Sequence, residues 1–253
     1  MKYPWLLLLF YPLLAYSGND PIFSLKDDTV KVQKLLDLGY DYEFTDPDSA
    51  LLIYSLAGDI SRKIDYKLGF GRSLNYSGIV EFSKGNYLEA EQLYFQSIEV
   101  FEEIPYPRGI AANYNNIGNI YHHFGEFDQT VQFHMQALAI FEEIRDTLSM
   151  VYNLNNLGTL YYDNNQYGSA IDFYQRSSQL LEKLRDTVQL VDTYVNLANT
   201  HNRLKNYEKA ESYLERADEI HKQGQSLYGS LLLSDAKREL QVSGGNYEEA
   251  LNL

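Results

Sequence analysis

Hydrophobic residues recur every three or four positions over two adjacent stretches of the chain, 111–124 and 127–144. This spacing is typical of amphipathic α-helices, which bury one face and expose the other. Gly125 and Glu126 separate the two stretches, and a glycine at that place ends one helix and lets the next begin at once. Helices joined by so short a connection fold back on each other, so the pattern predicts an antiparallel helix pair.

The pattern recurs every 40 residues. An aromatic residue opens each second helix after a polar or glycine-containing turn, at Tyr87, Phe127, Tyr167, Tyr207 and Tyr247. A small residue follows each aromatic by three positions, at Ala90, Thr130, Ala170, Ala210 and Ala250. Small residues also recur in the first helices, at Gly78, Gly118, Gly158 and Ala198, whereas Arg238 breaks this series. A fixed period of this length predicts a stack of similar helix pairs.

The small residues indicate how the two helices of a pair would pack. A small side chain in each helix lets the two backbones approach closely, and we expect the aromatic residue between them to fill the wedge. A bulky group at Gly118 or Ala170 would overpack this contact, at a cost of about 1–3 kcal/mol.

The repeated residues also resemble a known family. In one copy the signature positions are Tyr114, Ile117, Gly118, Tyr121, Phe127, Thr130, His134 and Ala137. In the next they are Leu154, Leu157, Gly158, Tyr161, Tyr167, Ala170, Tyr174 and Ser177. This pattern resembles the tetratricopeptide repeat. The 40-residue period is similar to that of kinesin light chains and of Leu-Gly-Asn-repeat spindle adaptors, since other repeats of the family run 34 residues.

The resemblance covers roughly residues 31–253 and implies a fold and a type of function. The fold would be all-α, a right-handed superhelical solenoid of about five and a half antiparallel helix pairs. The function would be to bind a protein or peptide in the concave groove. We place the units at 31–70, a degenerate cap, then 71–110, 111–150, 151–190, 191–230 and a partial unit 231–253, after a loose leader at 18–30.

The two ends of the chain lead to further expectations. Residues 1–17 combine Lys2, an apolar run from Trp5 to Ala15 and small residues before Gly18, which is typical of a cleavable signal peptide. A buried N-terminal helix and an uncleaved anchor are the alternatives. We expect export to the periplasm or cell surface of a bacterium. Because the last unit stops at Leu253, early in its second helix, we also expect the natural chain to continue.

Composition and charge narrow the possible partners. The formal net charge is −14, which argues against binding to nucleic acid or directly to an anionic membrane surface. The chain has no cysteine, and we predict no catalytic residues, cofactor or metal. The stretch 69–74 contains two glycines, but we interpret it as a loop between units and not as a phosphate-binding turn. His122, His123 and His134 are the nearest approach to a metal site, and their helical spacing favours a structural role.

Asparagine is concentrated on one face of the first helices, although it is a poor helix former. In this family the first helices line the groove. The predicted groove residues are Asn115, Asn116, Asn119, His122, Tyr152, Asn155, Asn156, Thr159, Tyr162, Asn196, Asn199 and Asn202, and Asp192 lies on the same face. Their side chains could pair with the backbone of an extended peptide, as the family's Asn at the place of Asn116, Asn156 and Asn196 commonly does. Alternatively, they could bond between neighbouring helices.

The chain departs from the family's carboxylate clamp, which uses lysine and arginine. At those places it carries Ala112, Tyr152 and Asp192, with only Arg72 and Arg203 nearby. We therefore expect a neutral or mildly basic extended segment as the partner. The prediction is a non-enzymatic scaffold for protein interaction; the alternative is the extracytoplasmic sensor region of a membrane-bound histidine kinase or transcriptional regulator.

Overall fold

A short 3₁₀ turn and a series of α-helices make up the described part of the chain, residues 21–224 and 227–245 of a computed structural model. The turn spans Pro21–Ser24. The helices are α1 (Thr29–Tyr42), α2 (Pro47–Lys63), α3 (Lys67–Ser83), α4 (Tyr87–Glu102), α5 (Pro107–His123), α6 (Phe127–Glu143), α7 (Thr147–Asp163), α8 (Tyr167–Leu184), α9 (Thr187–Arg203), α10 (Tyr207–Gly224) and α11 (Leu227–Ser243). We call the odd-numbered helices A and the even-numbered helices B.

Left-handed residues end most of the helices and keep the connections short. At the turns that follow α3, α5, α7, α9 and α11 one residue has a positive φ, namely Gly85, Gly125, Asn165, Lys205 and Gly245, whereas the turn after α1 has none. Glycine adopts this conformation without steric cost, which explains its presence in three of the five copies. The B-to-A turns use Asp65, Arg145 and Arg185 in the same way.

Aspartates start several of the helices. The side chains of Asp28, Asp46, Asp146 and Asp186 each accept a hydrogen bond from a backbone N–H in the first turn of the helix that follows. These bonds satisfy donors that a helix start leaves unpaired. Asp146 and Asp186 stand 40 residues apart, and each caps the A helix that follows a B-to-A turn.

The helices fall into two compact blocks, which divide between Ile140 and Phe141. In the N-terminal block, one apolar core involves α1, α2 and α3, and a second lies between α4 and α5. In the C-terminal block a single core extends from α7 to α11. Among the described helices, none is long and apolar enough to cross a membrane.

Three expectations about boundaries are wrong. The A helices begin four residues before the predicted unit starts at 71, 111, 151, 191 and 231. Residues 69–74 are helical, within α3. Gly69 and Gly71 lie there because a Cβ on them would meet the rings of Tyr66 and Phe101 at 2.5 and 2.3 Å.

The third correction concerns the leader. Its residues 18–20 lie outside the described part, but from Pro21 onwards it is folded and packed. Ile22 is buried, and the ammonium group of Lys31 donates to the carbonyl oxygens of Phe23 and Leu25 at 3.3 and 3.0 Å. Asp27 pairs with both Lys31 and Lys63.

The ring that packs against the small residue of an A helix is not the ring that the sequence led us to expect. A Cβ on Gly78, Gly118 or Gly158 would meet the side chain of Tyr94, His134 or Tyr174, in the middle of the B helix. Tyr87 instead lies at the turn, 4.2 Å between ring centroids from His123. Tyr167 likewise packs on Tyr162, while Phe127 is half-buried and Tyr207 is exposed. Ala198 and the four small residues of the B helices, Ala90, Thr130, Ala170 and Ala210, are buried.

Candidate binding face of the A helices

The A helices form a layer of their own within each block. In the C-terminal block α9 contacts both α7 and α11, and in the N-terminal block α3 contacts both α1 and α5. The A helices α1, α3, α7 and α9 also pack on the B helices that follow them, which leaves the remaining stripe of each for solvent or a partner. This stripe contains the asparagines that the sequence singled out.

Some of these asparagines bond within the protein. In the N-terminal block the Asn75 side chain donates to Asn113 Oδ1 at 2.8 Å. Asn113 in turn donates to Ser97 Oγ and to the Gly109 carbonyl, both at 2.9 Å. In the C-terminal block Thr193 Oγ1 donates to Asn155 Oδ1 at 3.4 Å. Asn155 therefore forms a bond between neighbouring helices, which was the alternative to peptide binding.

Asn115 and Asn202 also have partners in the protein. Asn115 Oδ1 lies 3.1 Å from His134 Nδ1. Asn202 is buried, and its amide donates to Ser243 Oγ at 3.2 Å. Its Oδ1 atom is buried without a hydrogen-bond partner. Placing Asn202 on the exposed face was therefore wrong, because the end of α9 is covered on that side.

The asparagines one position after Asn115 and Asn155, and Asn196 at the same place in the next repeat, remain accessible. Asn156 is exposed, and Asn116 and Asn196 are half-exposed. Asn119 and Asn199 are also half-exposed, about one helical turn beyond. None of these five amides bonds to another side chain in the described part of the chain. Each block therefore presents unsatisfied donors and acceptors on its A layer.

The remaining predicted groove residues border these amides. In the C-terminal block, Tyr152 is exposed and its hydroxyl accepts from Gln189 Nε2 at 3.2 Å. The Tyr162 hydroxyl accepts from Arg203 Nε at 3.0 Å, and Thr159 Oγ1 lies 3.0 Å from the Tyr174 hydroxyl. His122 is exposed in the N-terminal block.

The positive charges near the face are already engaged. In the N-terminal block Arg72 donates to Gln33 Oε1 and to the Tyr76 hydroxyl, both at 2.8 Å. In the C-terminal block Arg203 also pairs with Glu239 at 3.6 Å. Asp192, by contrast, has no hydrogen bond or ion pair within the described residues. Its burial raises the pKa of the carboxyl, and the nearby charge of Asp186 raises it further.

Sequence reasoning missed two features of this face. One is the structural role of Asn113. The residues at the same place in the next two repeats, Asn153 and Thr193, are also buried and polar. Their recurrence every 40 residues was the available signal. The other is a cavity beside Asp192, for which the sequence contains no signal.

In each block, one row of polar side chains on the A helices is bonded within the protein, and the next row is exposed. This arrangement is typical of helix-pair repeat proteins, which act as scaffolds for protein interaction. The model of the tetratricopeptide repeat matches residues 70–143, 109–183 and 147–223, more than half of the chain. The chain belongs to the tetratricopeptide-repeat family. No curated protein is significantly similar to it in sequence.

Solved structures share the fold at low identity. A putative kinesin light chain from Podosopora anserina is 17% identical, with 77% of this chain and 97% of that chain covered and a TM-score of 0.62. A signal-transduction ATPase with a tetratricopeptide-repeat sensor, from Pyrococcus horikoshii, is 18% identical, with 98% and 39% covered and a TM-score of 0.70. A Rap protein complexed with competence and sporulation factor is 14% identical, with 89% and 74% covered and a TM-score of 0.57.

These comparisons confirm the predicted family and the all-α repeat fold, including the similarity to kinesin light chains. Since all three identities are below 25%, the likeness supports the fold and leaves the partner to be argued from the face itself.

Proposed function

We propose that this protein is a scaffold that binds extended peptide segments along the exposed A-helix face of each of its two blocks. The observation that supports the proposal is the set of amides at Asn116, Asn119, Asn156, Asn196 and Asn199, which lack side-chain partners within the described residues. Asparagine is unfavourable in a helix, so five of them without a structural bond are better explained by a ligand.

An extended segment suits this face chemically. Its backbone offers an N–H and a C=O at every residue, and a carboxamide side chain can both donate to and accept from them. The helices that hold the amides are rigid, so little side-chain freedom is lost on binding. Because the bonds are to backbone atoms, they would hold segments of different sequence, and neighbouring side chains would provide the specificity.

The test combines Asn116→Ala, Asn156→Ala and Asn196→Ala. Peptides are first selected from a displayed random library against the wild-type protein, and the affinities of the enriched peptides are measured by fluorescence anisotropy. We expect the triple variant to bind these peptides at least tenfold more weakly, with unchanged helicity by circular dichroism.

A matched control removes three amides from another surface. Gln132, Gln136 and Gln179 are exposed on B helices, and their replacement by alanine should leave peptide affinity unchanged. If the triple asparagine variant binds as the wild type does, or if no peptide is enriched, the proposed binding face is wrong.

Export is a further part of this proposal. It is supported by the apolar run between Trp5 and Ala15 and by the small residues that follow it. Expression of the full chain in a bacterium, followed by mass spectrometry of the periplasmic fraction, should show a mature protein that starts near Gly18. Recovery of the protein from the cytoplasm with Met1 retained would contradict export.

A second candidate function is a sensor region of a membrane-bound signalling protein, either a histidine kinase or a transcriptional regulator. The observation that favours it is the shared fold with an ATPase that has a tetratricopeptide-repeat sensor. Sequencing the gene past the codon for Leu253 tests it, since a following transmembrane segment and output domain are required. A stop codon at that place would exclude this candidate.

A further inference from the structure

A small cavity opens beside Asp192 in the C-terminal block, between α9, α10 and the start of α11. Its enclosed volume is about 40 Å³, and the depression around it is open to solvent. Val188, Val191, Ile220 and Tyr228 provide apolar walls, and the Asp192 carboxylate is the anionic group among the described lining residues. This volume is far below the roughly 300–1,000 Å³ of small-molecule sites, so the cavity suits the end of a single side chain and not a cofactor.

Asp192 has no evident structural role. It lies in the second turn of α9, whereas Asp186 caps that helix by accepting from the Gln189 N–H at 3.1 Å. Aspartate is unfavourable inside a helix, and the favourable interaction of an acid with the helix dipole is limited to the first turn. A carboxylate that is half-buried, unpaired and close to a second acid lowers stability. Such a group is more often found at functional sites.

The walls of the cavity suit the stem of a long basic side chain. Val188 and Tyr228 are 64% and 63% exposed, which is high for residues of this type inside a folded block. The methylene groups of lysine or arginine pack on such surfaces while the charged end reaches a carboxylate. The Tyr228 ring could also contact the cation through its face.

The cavity is continuous with the face proposed above. Asn196 and Asn199 follow Asp192 on α9 by one and two helical turns, so the three residues share one stripe. At the corresponding positions of other repeats stand Arg72, Ala112, Tyr152 and Leu232. At this place in the repeat a peptide would therefore meet a carboxylate in only one of the described copies, which would favour one register.

We propose that this cavity receives the lysine or arginine side chain of an extended partner peptide, whose cation pairs with the Asp192 carboxylate. This inference rests on the proposed function, because it names the side chain that the face selects. The uncharged, nearly isosteric variant Asp192→Asn keeps the shape of the site and removes the charge.

The experiment uses the full chain and the peptides selected from the displayed library. We expect the enriched peptides to share one lysine or arginine, and Asp192→Asn to weaken their binding at least tenfold. Peptides with alanine at that position should bind the wild type and Asp192→Asn equally. With Asp192→Lys, replacing the basic residue of the peptide by glutamate should restore affinity.

Asp172→Asn is the matched control, since it makes the same chemical change at an exposed position on α8. It should leave affinity unchanged, which separates a local pairing from the effect of net charge. If enriched peptides need Asn156 and Asn196 but contain no basic residue, or bind Asp192→Asn as tightly as the wild type, the cavity assignment is overturned and the binding face stands. If no peptide is enriched, both are overturned.

Discussion

The side-chain amide of Asn75 in α3 donates to Oδ1 of Asn113 in α5 across a distance of 2.8 Å. The bond joins two consecutive A helices within the N-terminal block. Asn113 is fully buried, and its own amide donates to Ser97 and Gly109, so its donors and acceptor are all satisfied. Three residues further along α5, Asn116 is half-exposed and has no such bond. One helix thus carries asparagines of two kinds, one structural and one available to a ligand.

The first prediction separates these two kinds. Asn113→Ala leaves the buried groups around it without partners and should lower the free energy of unfolding by about 1–3 kcal/mol. Asn116→Ala removes no bond within the protein and should change it by less than about 0.5 kcal/mol. Urea denaturation of both variants checks this, and equal losses would place Asn116 among the structural residues.

The second prediction concerns the contact between paired helices. A Cβ on Gly158 would lie 2.5 Å from the Tyr174 ring, so Gly158→Ala should cost about 1–3 kcal/mol by overpacking. On Gly118 the nearest atom, in the His134 ring, is 3.1 Å away, and the better helix propensity of alanine offsets part of the strain. Gly118→Ala should therefore cost less.

Gly168 provides the control for these glycine variants. It lies in the first turn of α8, where an added Cβ meets nothing within 4 Å, so Gly168→Ala should be neutral or stabilise by up to about 1 kcal/mol. The three variants are compared by urea denaturation under the same conditions. A loss at Gly118 as large as that at Gly158 would show that the ring distance does not determine the cost.

The third prediction concerns acid. Burial, together with a smaller effect of the nearby His122, lowers the pKa of His134 from 6.5 to about 4. Between these two values the unfolded chain binds a proton that the folded chain does not, so stability falls as the pH falls. The contribution of His134 to this loss is about 3 kcal/mol at most by pH 4.

His134→Tyr tests this contribution, since Tyr94 and Tyr174 occupy the same position in neighbouring repeats. The variant should lose less stability than the wild type between pH 7 and pH 4.5 in urea denaturation. Other titrating groups are common to both proteins and cancel in the comparison. Parallel curves for the two proteins would rule out His134 as a source of acid sensitivity.

The 40-residue period was sufficient to predict most of the fold, because each repeat reuses the same turn and the same packing. Gly85, Gly125, Asn165, Lys205 and Gly245 share one backbone conformation as well as one place in the sequence. Neighbouring positions on the binding face were harder to assign. Asn115 and Asn116 are adjacent, and a step of about 100° around the helix decides which of them meets a side chain within the protein.

Contacts between repeats could not be predicted from the period. The bond from Asn75 to Asn113 depends on how far one A helix rotates against the next. The cavity beside Asp192 depends on three helices at once. Such features follow from tertiary packing, which the repeated sequence pattern does not determine.

The last prediction links stability to binding at Asp192. Its carboxyl has a raised pKa because it is partly buried and close to Asp186. Since the folded pKa is above the ordinary value of 3.8, the folded chain binds more protons between the two values. Stability is therefore lost as the pH rises through the folded pKa, and the loss persists at pH 7.

Asp192→Asn removes this cost, so the free energy of unfolding at pH 7 should rise in urea denaturation. The difference from the wild type should shrink as the pH is lowered, and it should be smallest below 3.8, where the carboxyl is protonated in both states. Asp172→Asn, on an exposed helix face, should show no such difference. A gain in stability together with weaker binding of basic peptides means that Asp192 serves binding at the expense of folding. A loss of stability would give this carboxylate a structural role and contradict the proposed pairing with a cation.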